Sequence, residues 1–432
     1  MDDFSSVRAA LVAIWLVALP VSATAQPLSG EPRVARLVKS LGADDFAARR
    51  AADLELLKLG NEGRRQLEDA AQSSDLEIRL RALNLLERMA VVRLWEPSRV
   101  TLQANDKVSN LLASVASQSS NHVFAGEAHS DFNNVMVDLP RVDVPYWKAI
   151  DELARQSGNH VRLHYDSRLA GVVFAVGGAG RYSTAYSGPV RAQVTSARRA
   201  FVEDFDHETG ESDVTHTFQL NLQMMWEDRF RLAAYCAEPE VVEAETDTGV
   251  SLGVPQSNAG TWNVASSSTR QVSTSLQLNP PPIAATKLKL LRLKWNLVAL
   301  GDMATAELIH PAVNAELHQE GFFLKILAYD RQPTGRVELR LLIAREIAAP
   351  DPPEILFQEN LIELLAADGR VLKSQSQTHT LTDAGVEYNL VFNADRNPSP
   401  VEKLKVSYPK FRSRRNLEIT FTDVPVPAKR PE

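Results

Sequence analysis

The sequence predicts a multidomain protein: an α-helical segment first, then a duplicated βαβ (α+β) domain, then an all-β, sandwich-like C-terminal region. Three observations predict this order. Apolar residues recur with the period of a helix up to about residue 95, one short stretch is written twice, and beyond residue 185 the apolar period changes to two. A chain of 432 residues is also too long for one hydrophobic core, which favours several domains.

The composition is that of a folded chain. Hydrophobic residues make up 44% and charged residues 23%, values that are ordinary for globular domains. The net charge of −7 offers no basic footprint for nucleic acid, so we expect no nucleic-acid partner. Cys236 is the single cysteine, which rules out a disulfide within one chain, and we expect it to be a small core residue.

Residues 1–25 have the pattern of a signal peptide. An apolar run at 9–19 precedes Ala-Thr-Ala at 23–25, the small-x-small pattern of a cleavage site. The run is shorter than the stretch that crosses a bilayer. We therefore expect no transmembrane span after signal removal, and a periplasmic or extracellular location. Asp2 and Asp3 are unusual in a leader and leave an uncleaved anchor or a misplaced start codon open.

Helical periodicity runs through residues 30–95. An apolar residue recurs every three or four positions, and glycines at 42 and 60 end the first two helices. Ser74 and Glu77 have the Ser-x-x-Glu spacing of a capping box. The stretch DLEIRLRALNLLERM that follows resembles the second helix of a HEAT repeat. This resemblance implies a HEAT-like helical domain over residues 30–95.

The repeated stretch is ASQSSNHV at 116–123 and ARQSGNHV at 154–161. Each copy closes a unit in which a strand leads into a helix with one apolar stripe. We expect both stripes to be buried against one shared sheet. The stripes are Val108, Leu111, Leu112, Val115 and Ala116 in the first helix, and Tyr146, Ala149, Ile150, Leu153 and Ala154 in the second.

The duplicated unit resembles the short N-terminal (STN) domain of secretins and TonB-dependent receptors. The segments that carry the resemblance are VTLQANDKVSNLLASVASQSS and VMVDLPRVDVPYWKAIDELARQSGNHVRLHYD. The resemblance implies a small periplasmic interaction module, an STN-like duplicated βαβ domain over residues 98–180. No secretin pore sequence follows, so the transport role of that family is not implied.

Beyond residue 185 the apolar residues alternate with polar ones. In HTFQLNLQMMW, Phe218, Leu220, Leu222 and Met224 fall on one face of a strand. Several such segments with Pro and Gly punctuation predict a β-sandwich-like domain over 185–300 and a C-terminal β-sandwich domain over 301–430. The order of all these parts resembles a class of exported planctomycete proteins, a resemblance that implies export and no particular activity.

The histidines of the repeat raise the question of a metal site. His160 and His164 are spaced as His-x-x-x-His, but on a strand that spacing is about 13 Å. We expect His122 and His160 to be solvated residues at separate strand edges. The sequence therefore predicts no metal ligands, no cofactor and no catalytic residues.

Four further motifs have a structural and a functional interpretation. Ser251 in GVSLG matches a nucleophile elbow in its letters, but no helix pattern follows, which favours a β-turn. We interpret the glycine-rich stretch 176–182 as a linker. The acidic stretch 202–213 is interpreted as a solvated loop, with weak calcium binding as the alternative. KFRSRR at 410–415 is interpreted as charge that protects an edge strand, with an acidic polymer partner as the alternative.

Together these patterns predict a binding or scaffolding protein of the bacterial envelope and not an enzyme, because the strong patterns in the chain are packing patterns and none is catalytic. Its expected partner is an envelope protein or a polysaccharide. Two alternatives stay open. One is an exported hydrolase of cell-wall or extracellular polysaccharide, with carboxylates brought together by folding. The other is an accessory subunit of a secretin or TonB-type system. The sequence does not indicate the oligomeric state.

Overall fold

The computed structural model describes residues 33–102, 105–124, 132–138, 143–165, 170–176, 183–205, 207–210, 212–254, 260–265, 270–319, 321–345, 361–372, 374–393 and 399–428. The predicted signal peptide lies outside these residues. The chain divides into two compact units, residues 1–89 and 90–432. Among the described residues, none of the helices combines the length and apolar character needed to cross a membrane.

The first unit is helical. Its helices, the last of which continues past the unit boundary, are α1 (Arg33–Ser40), α2 (Phe46–Leu59), α3 (Asn61–Ala70) and α4 (Leu76–Trp95). Leu56, Leu67 and Leu85 are fully buried in its core, because one stripe of each helix is apolar. The cap of α4 differs from the predicted capping box. Asp75, not Ser74, accepts from the next backbone amides, those of Glu77 and Ile78, at 2.9 and 3.1 Å.

The second unit begins with short strands around two helices. These elements are β1 (Arg99–Thr101), β2 (Asp106–Lys107), α5 (Val108–Ser119), β3 (Val123–Phe124), β4 (Met136–Val137), β5 (Asp143–Pro145), α6 (Tyr146–Gln156), β6 (Asn159–Tyr165) and β7 (Ala170–Val176). All the stripe residues of α5 and α6 except Ala116 are buried. They share one core with Phe174 of β7, so the two helices do pack against a common interior.

The strands of the two copies do not form repeated units. β1 pairs with β5, β2 pairs with β4, and β3 lies parallel to β7, which pairs on its other side with β6. The result is three small sheets, not one sheet shared by two equivalent βαβ copies. Helical periodicity shows that one face of a helix must be covered, but it does not determine which strands pair.

The remaining strands alternate between long and short. They are β8 (Thr184–Ser187), β9 (Val190–Phe205), β10 (Ser212–Trp226), β11 (Arg231–Cys236), β12 (Glu240–Thr246), β13 (Trp262–Val264), β14 (Gln271–Leu278), β15 (Lys287–Leu300), β16 (Met303–Ile309), β17 (Glu316–Gln319), β18 (Phe322–Arg331), β19 (Arg336–Arg345), β20 (Leu361–Ala366), β21 (Val371–Leu372), β22 (Ser374–Thr382), β23 (Gly385–Asn393), β24 (Val401–Pro409) and β25 (Arg412–Pro425).

These strands form two pairs of antiparallel sheets. In the first pair, the sheet β14-β10-β9-β8 shares a core with the sheet built on β15, which pairs with β11, β12 and β25. In the second pair, the sheet β16-β24-β20-β21 shares a core with β17-β18-β19-β23-β22. Alternation explains both cores, since every second side chain of a strand points to the same face.

The predicted fold class is therefore wrong. The described residues are mostly β, with 52% in strands and 23% in helices, and they show neither a HEAT-like helical segment nor a duplicated βαβ domain. The error has one cause. A repeated sequence and a helical period do not imply a repeated architecture: both strands beside α5 and the strand before α6 are two or three residues long, whereas β6, after α6, has seven, and the strands of the two copies pair differently.

Candidate interaction surface

Strands β9 and β10 form a ribbon that is longer than the strands beside it. They pair from Val190 with Trp226 out to Phe205 with Ser212. On the outer sides, β8 pairs with β9 only as far as Gln193, and β14 pairs with β10 only as far as Phe218. In the described chain no third strand pairs with residues 199–217. We call this two-stranded extension the β arm.

One face of the β arm continues the face that fills the first β core. Phe218, Leu220, Leu222 and Met224 of β10 are buried there, as their alternation predicts. Across the ribbon Phe218 lies opposite Arg199. Because side chains alternate, residues 201, 203 and 205 of β9 lie on the same face beyond the edge of the core.

This outer part of the face carries two exposed phenylalanines with Glu203 between them. The exposed fraction is 40% for Phe201 and 64% for Phe205. Val202, on the opposite face of the arm, is 47% exposed. Single exposed apolar residues are ordinary, but two aromatic residues exposed on one face of a two-stranded ribbon are typical of contact surfaces.

Arg199 marks the boundary between the buried and the exposed parts of the face. Its Nη2 donates to the carbonyl of Pro281 at 2.7 Å, and its Nε donates to Nε2 of His216 at 3.0 Å. The Phe201 ring stacks on the His216 ring with centroids 4.0 Å apart, and the Arg199 guanidinium lies over Phe201. These contacts hold Phe201 in place although it faces solvent.

The charge of His216 follows from these contacts. Burial, assisted by the positive charge of Arg199, lowers the pKa of His216 below its ordinary value. Because Nε2 accepts a hydrogen bond from Arg199, it carries no proton, and the imidazole is neutral in this arrangement. Burial also lowers the pKa of the Arg199 guanidinium.

The β arm is acidic in sequence. Between residues 200 and 217 there is no lysine or arginine. The acidic residues are Glu203, Asp204, Asp206, Glu208, Glu211 and Asp213. The prediction of a solvated loop over 202–213 is partly wrong, because β9 extends to Phe205 and β10 begins at Ser212. The arm therefore combines an exposed apolar face with a negative end.

The opposite end of the ribbon is fixed by a buried charged turn that the sequence patterns did not indicate. Glu227 is 1% exposed. Its carboxylate accepts from the backbone amide of Ser98 at 2.9 Å and from Nε of Arg229 at 2.9 Å. Arg229 also donates to the carbonyls of Arg93 and Glu96. The available signal is a run of three charged residues, 227–229, directly after MMW, and such a run is equally typical of a turn exposed to solvent.

The histidines of the repeat lie apart. The backbone amide of His122 donates to the Asp228 carboxylate at 2.7 Å, and its ring, 65% exposed, approaches the same oxygen at 3.2 Å. His160 lies on β6, and β7 runs between β6 and β3. Among the described residues, no three His, Cys, Asp or Glu side chains are grouped to hold a metal ion.

The other motifs fall in different places. Ser251 follows a tight turn in which the amide of Gly249 donates to the Thr246 carbonyl, and residues 252–254 are not helical. Cys236 is buried, and burial raises the pKa of its thiol. Of the glycine-rich stretch, residues 177–182 lie outside the described chain.

The basic segment 410–415 leads into β25. Within the described residues β25 pairs along one side only, with β15. The guanidinium of Arg414 lies 4.9 Å from the ring centroid of Trp262, and that of Arg415 lies 5.9 Å from Trp95. Both arginines thus pack on tryptophans beside a strand edge.

Comparison of the chain with protein-family models, with curated proteins and with solved structures gives no match. The proposals that follow rest on the residues and the geometry of this chain.

Proposed function

We propose that this protein is an exported binding or scaffolding protein of the bacterial envelope that holds a protein partner at the β arm. The observation that carries the proposal is the exposure of Phe201 and Phe205 on a two-stranded ribbon. Such a ribbon has marginal stability alone, so its apolar face gains most from a covering surface.

Covering Phe201 and Phe205 would contribute apolar binding energy at this face. Burying a large apolar side chain contributes about 1.5–3 kcal/mol. Phe201 is already held by His216 and Arg199, so binding immobilises little that is not already ordered. Phe201 is therefore the natural anchor, with Phe205 nearer the end of the arm.

The acidic residues indicate the chemistry of the partner. A basic polypeptide surface with one or two apolar side chains complements the arm in charge and in polarity. Because charge attraction between exposed groups is screened by salt, association is expected to slow as ionic strength rises. The envelope location rests on the signal-like sequence at residues 1–25 and on no structural observation.

Site-specific photo-crosslinking tests the proposal. A photoreactive phenylalanine analogue replaces Phe205 in one variant and Ile309, which is 52% exposed on β16 of the second pair of sheets, in the control. We expect one discrete crosslinked partner from the envelope fraction at position 205 and none at 309. Phe201→Ser, combined with the photoreactive analogue at position 205, should abolish this crosslink. Equal labelling at both positions, or no discrete product at 205, contradicts the proposal.

A further inference from the structure

The edge of the second β core carries an independent feature. β22 ends the sheet β17-β18-β19-β23-β22 and pairs only with β23 among the described strands. All its side chains from Gln375 to Leu381 are exposed. Its sequence, SQSQTHTLT, contains no charged residue and no proline. Charged side chains and prolines are the usual means by which proteins prevent pairing at a strand edge, and β22 has neither.

Several other edge strands of the described chain have such protection, whereas the uncharged edges β8 and β21 are only four and two residues long. At β17, Glu316 is ion-paired with Lys325 at 2.8 Å. At β16, Glu307 is ion-paired with Lys403 at 2.8 Å. β12 contains three glutamates and β25 three arginines.

β14 also lacks charge, but it is covered in another way. Val272, Leu276 and Leu278 are buried in the first β core. The hydroxyl of Thr274 donates to the Ala237 carbonyl at 2.7 Å. β22 therefore differs from the other edges in being long, uncharged and exposed on both faces.

We infer that β22 pairs antiparallel with β22 of a second copy of this chain. With the twofold axis at Thr378, this residue lies opposite itself, Ser376 opposite Thr380, and Gln377 opposite His379. No like charges face each other in this register, and hydroxyl side chains directly opposite across strands are favourable pairs. The two five-stranded sheets would join into one continuous sheet.

The same sheet explains why pairing stops at a dimer. A twofold interface uses the same surface on both subunits and is closed after two copies. The sheet's other edge, β17, is four residues long and carries the ion pair of Glu316. Among the described strands, this sheet therefore has no second uncharged edge from which a filament could grow.

Sedimentation of the purified protein over a concentration series tests this inference. We expect a reversible monomer–dimer equilibrium. Thr378→Lys places two ammonium groups opposite each other at the axis and should weaken dimerisation about tenfold or more. The matched control is Asn389→Lys, at an exposed position opposite Thr378 on the inner neighbour β23, and it should leave the dimer intact. A wild-type protein that stays monomeric, or equal dimerisation of the two variants, overturns the inference.

A charge swap separates pairing from a folding defect. Thr378→Glu should also be monomeric, and an equimolar mixture with Thr378→Lys should restore the dimer because lysine then faces glutamate. Both variants should keep the circular dichroism spectrum of the parent, since position 378 is exposed. A mixture that remains monomeric overturns the antiparallel register centred on Thr378.

Discussion

The inner and outer halves of the β9–β10 ribbon belong to the same two strands and continue the same face, although the pairing shifts by one residue between Asn221 and Leu222. In the inner half, Leu220 and Met224 are fully buried because a second sheet lies against them. In the outer half, Phe201 and Phe205 are 40% and 64% exposed. An alternating pattern thus shows which face is apolar, while the extent of the neighbouring strands decides how much of that face is covered.

Truncating the inner face should have the largest effect on stability. Leu220→Ala removes a fully buried side chain and should lower the free energy of unfolding by about 2–5 kcal/mol, because the cavity can close only in part. Urea unfolding followed by circular dichroism measures the loss. A loss below about 1 kcal/mol would mean that the inner face is loosely packed.

Removing the charge of Glu227, at the anchored end of the ribbon, should have an intermediate effect on the free energy of unfolding. Glu227→Gln leaves the Ser98 amide and the Arg229 guanidinium with a weaker acceptor and should lower the unfolding free energy by about 1–3 kcal/mol. Glu240→Gln, at an exposed position on β12, is the matched control and should be nearly neutral. Equal effects of the two changes would show that the buried turn does not anchor the ribbon.

Truncating the outer face should barely change stability. Phe205→Ala should alter the unfolding free energy by no more than about 0.5 kcal/mol, because the side chain is mostly in solvent. The same urea unfolding measurement as for Leu220→Ala compares the two halves of one face directly. A loss comparable to that of Leu220→Ala would mean that the arm is packed and would remove the basis of the proposed contact surface.

The smallest expected effect on stability comes from protonation of His216, at the boundary between the buried and the exposed parts of the face. The folded-state pKa of His216 is lowered from its ordinary 6.5. Its contribution to stability is therefore full above the ordinary value and is lost as pH falls through the lowered pKa. Arg199→Gln removes the nearby positive charge and should raise the His216 pKa toward 6.5, measured by NMR titration of the imidazole. An unchanged pKa would mean that burial alone sets it.

Part of the fold was predictable because some interactions are local. The stripes of α5 and α6 were predicted to be buried, and all their residues except Ala116 are, since a helix with one apolar face must cover it. The strand alternation around Leu220 was predicted for the same reason. The pairing of β1 with β5, or of β3 with β7, joins segments far apart in the chain and has no comparable local signal.

The candidate surface was predictable only as an acidic stretch. Its carboxylates favour a solvated loop over 202–213, a range that includes Phe205, and no pattern singles out Phe201. Whether they would be buried depends on the ends of β8 and β14, which no pattern within residues 199–217 encodes.

By itself the sequence determined which side chains share a face, that Cys236 cannot form a disulfide within its own chain, and that the chain as a whole is acidic, with a net charge of −7. Tertiary structure alone decided which strands pair, where the cover over the β9–β10 ribbon stops, and that Glu227 is buried with its partners. The physical reason is range: side-chain periodicity is fixed by backbone geometry within a few residues, whereas pairing and burial also depend on distant segments, such as β5 for β1 and Ser98 for Glu227.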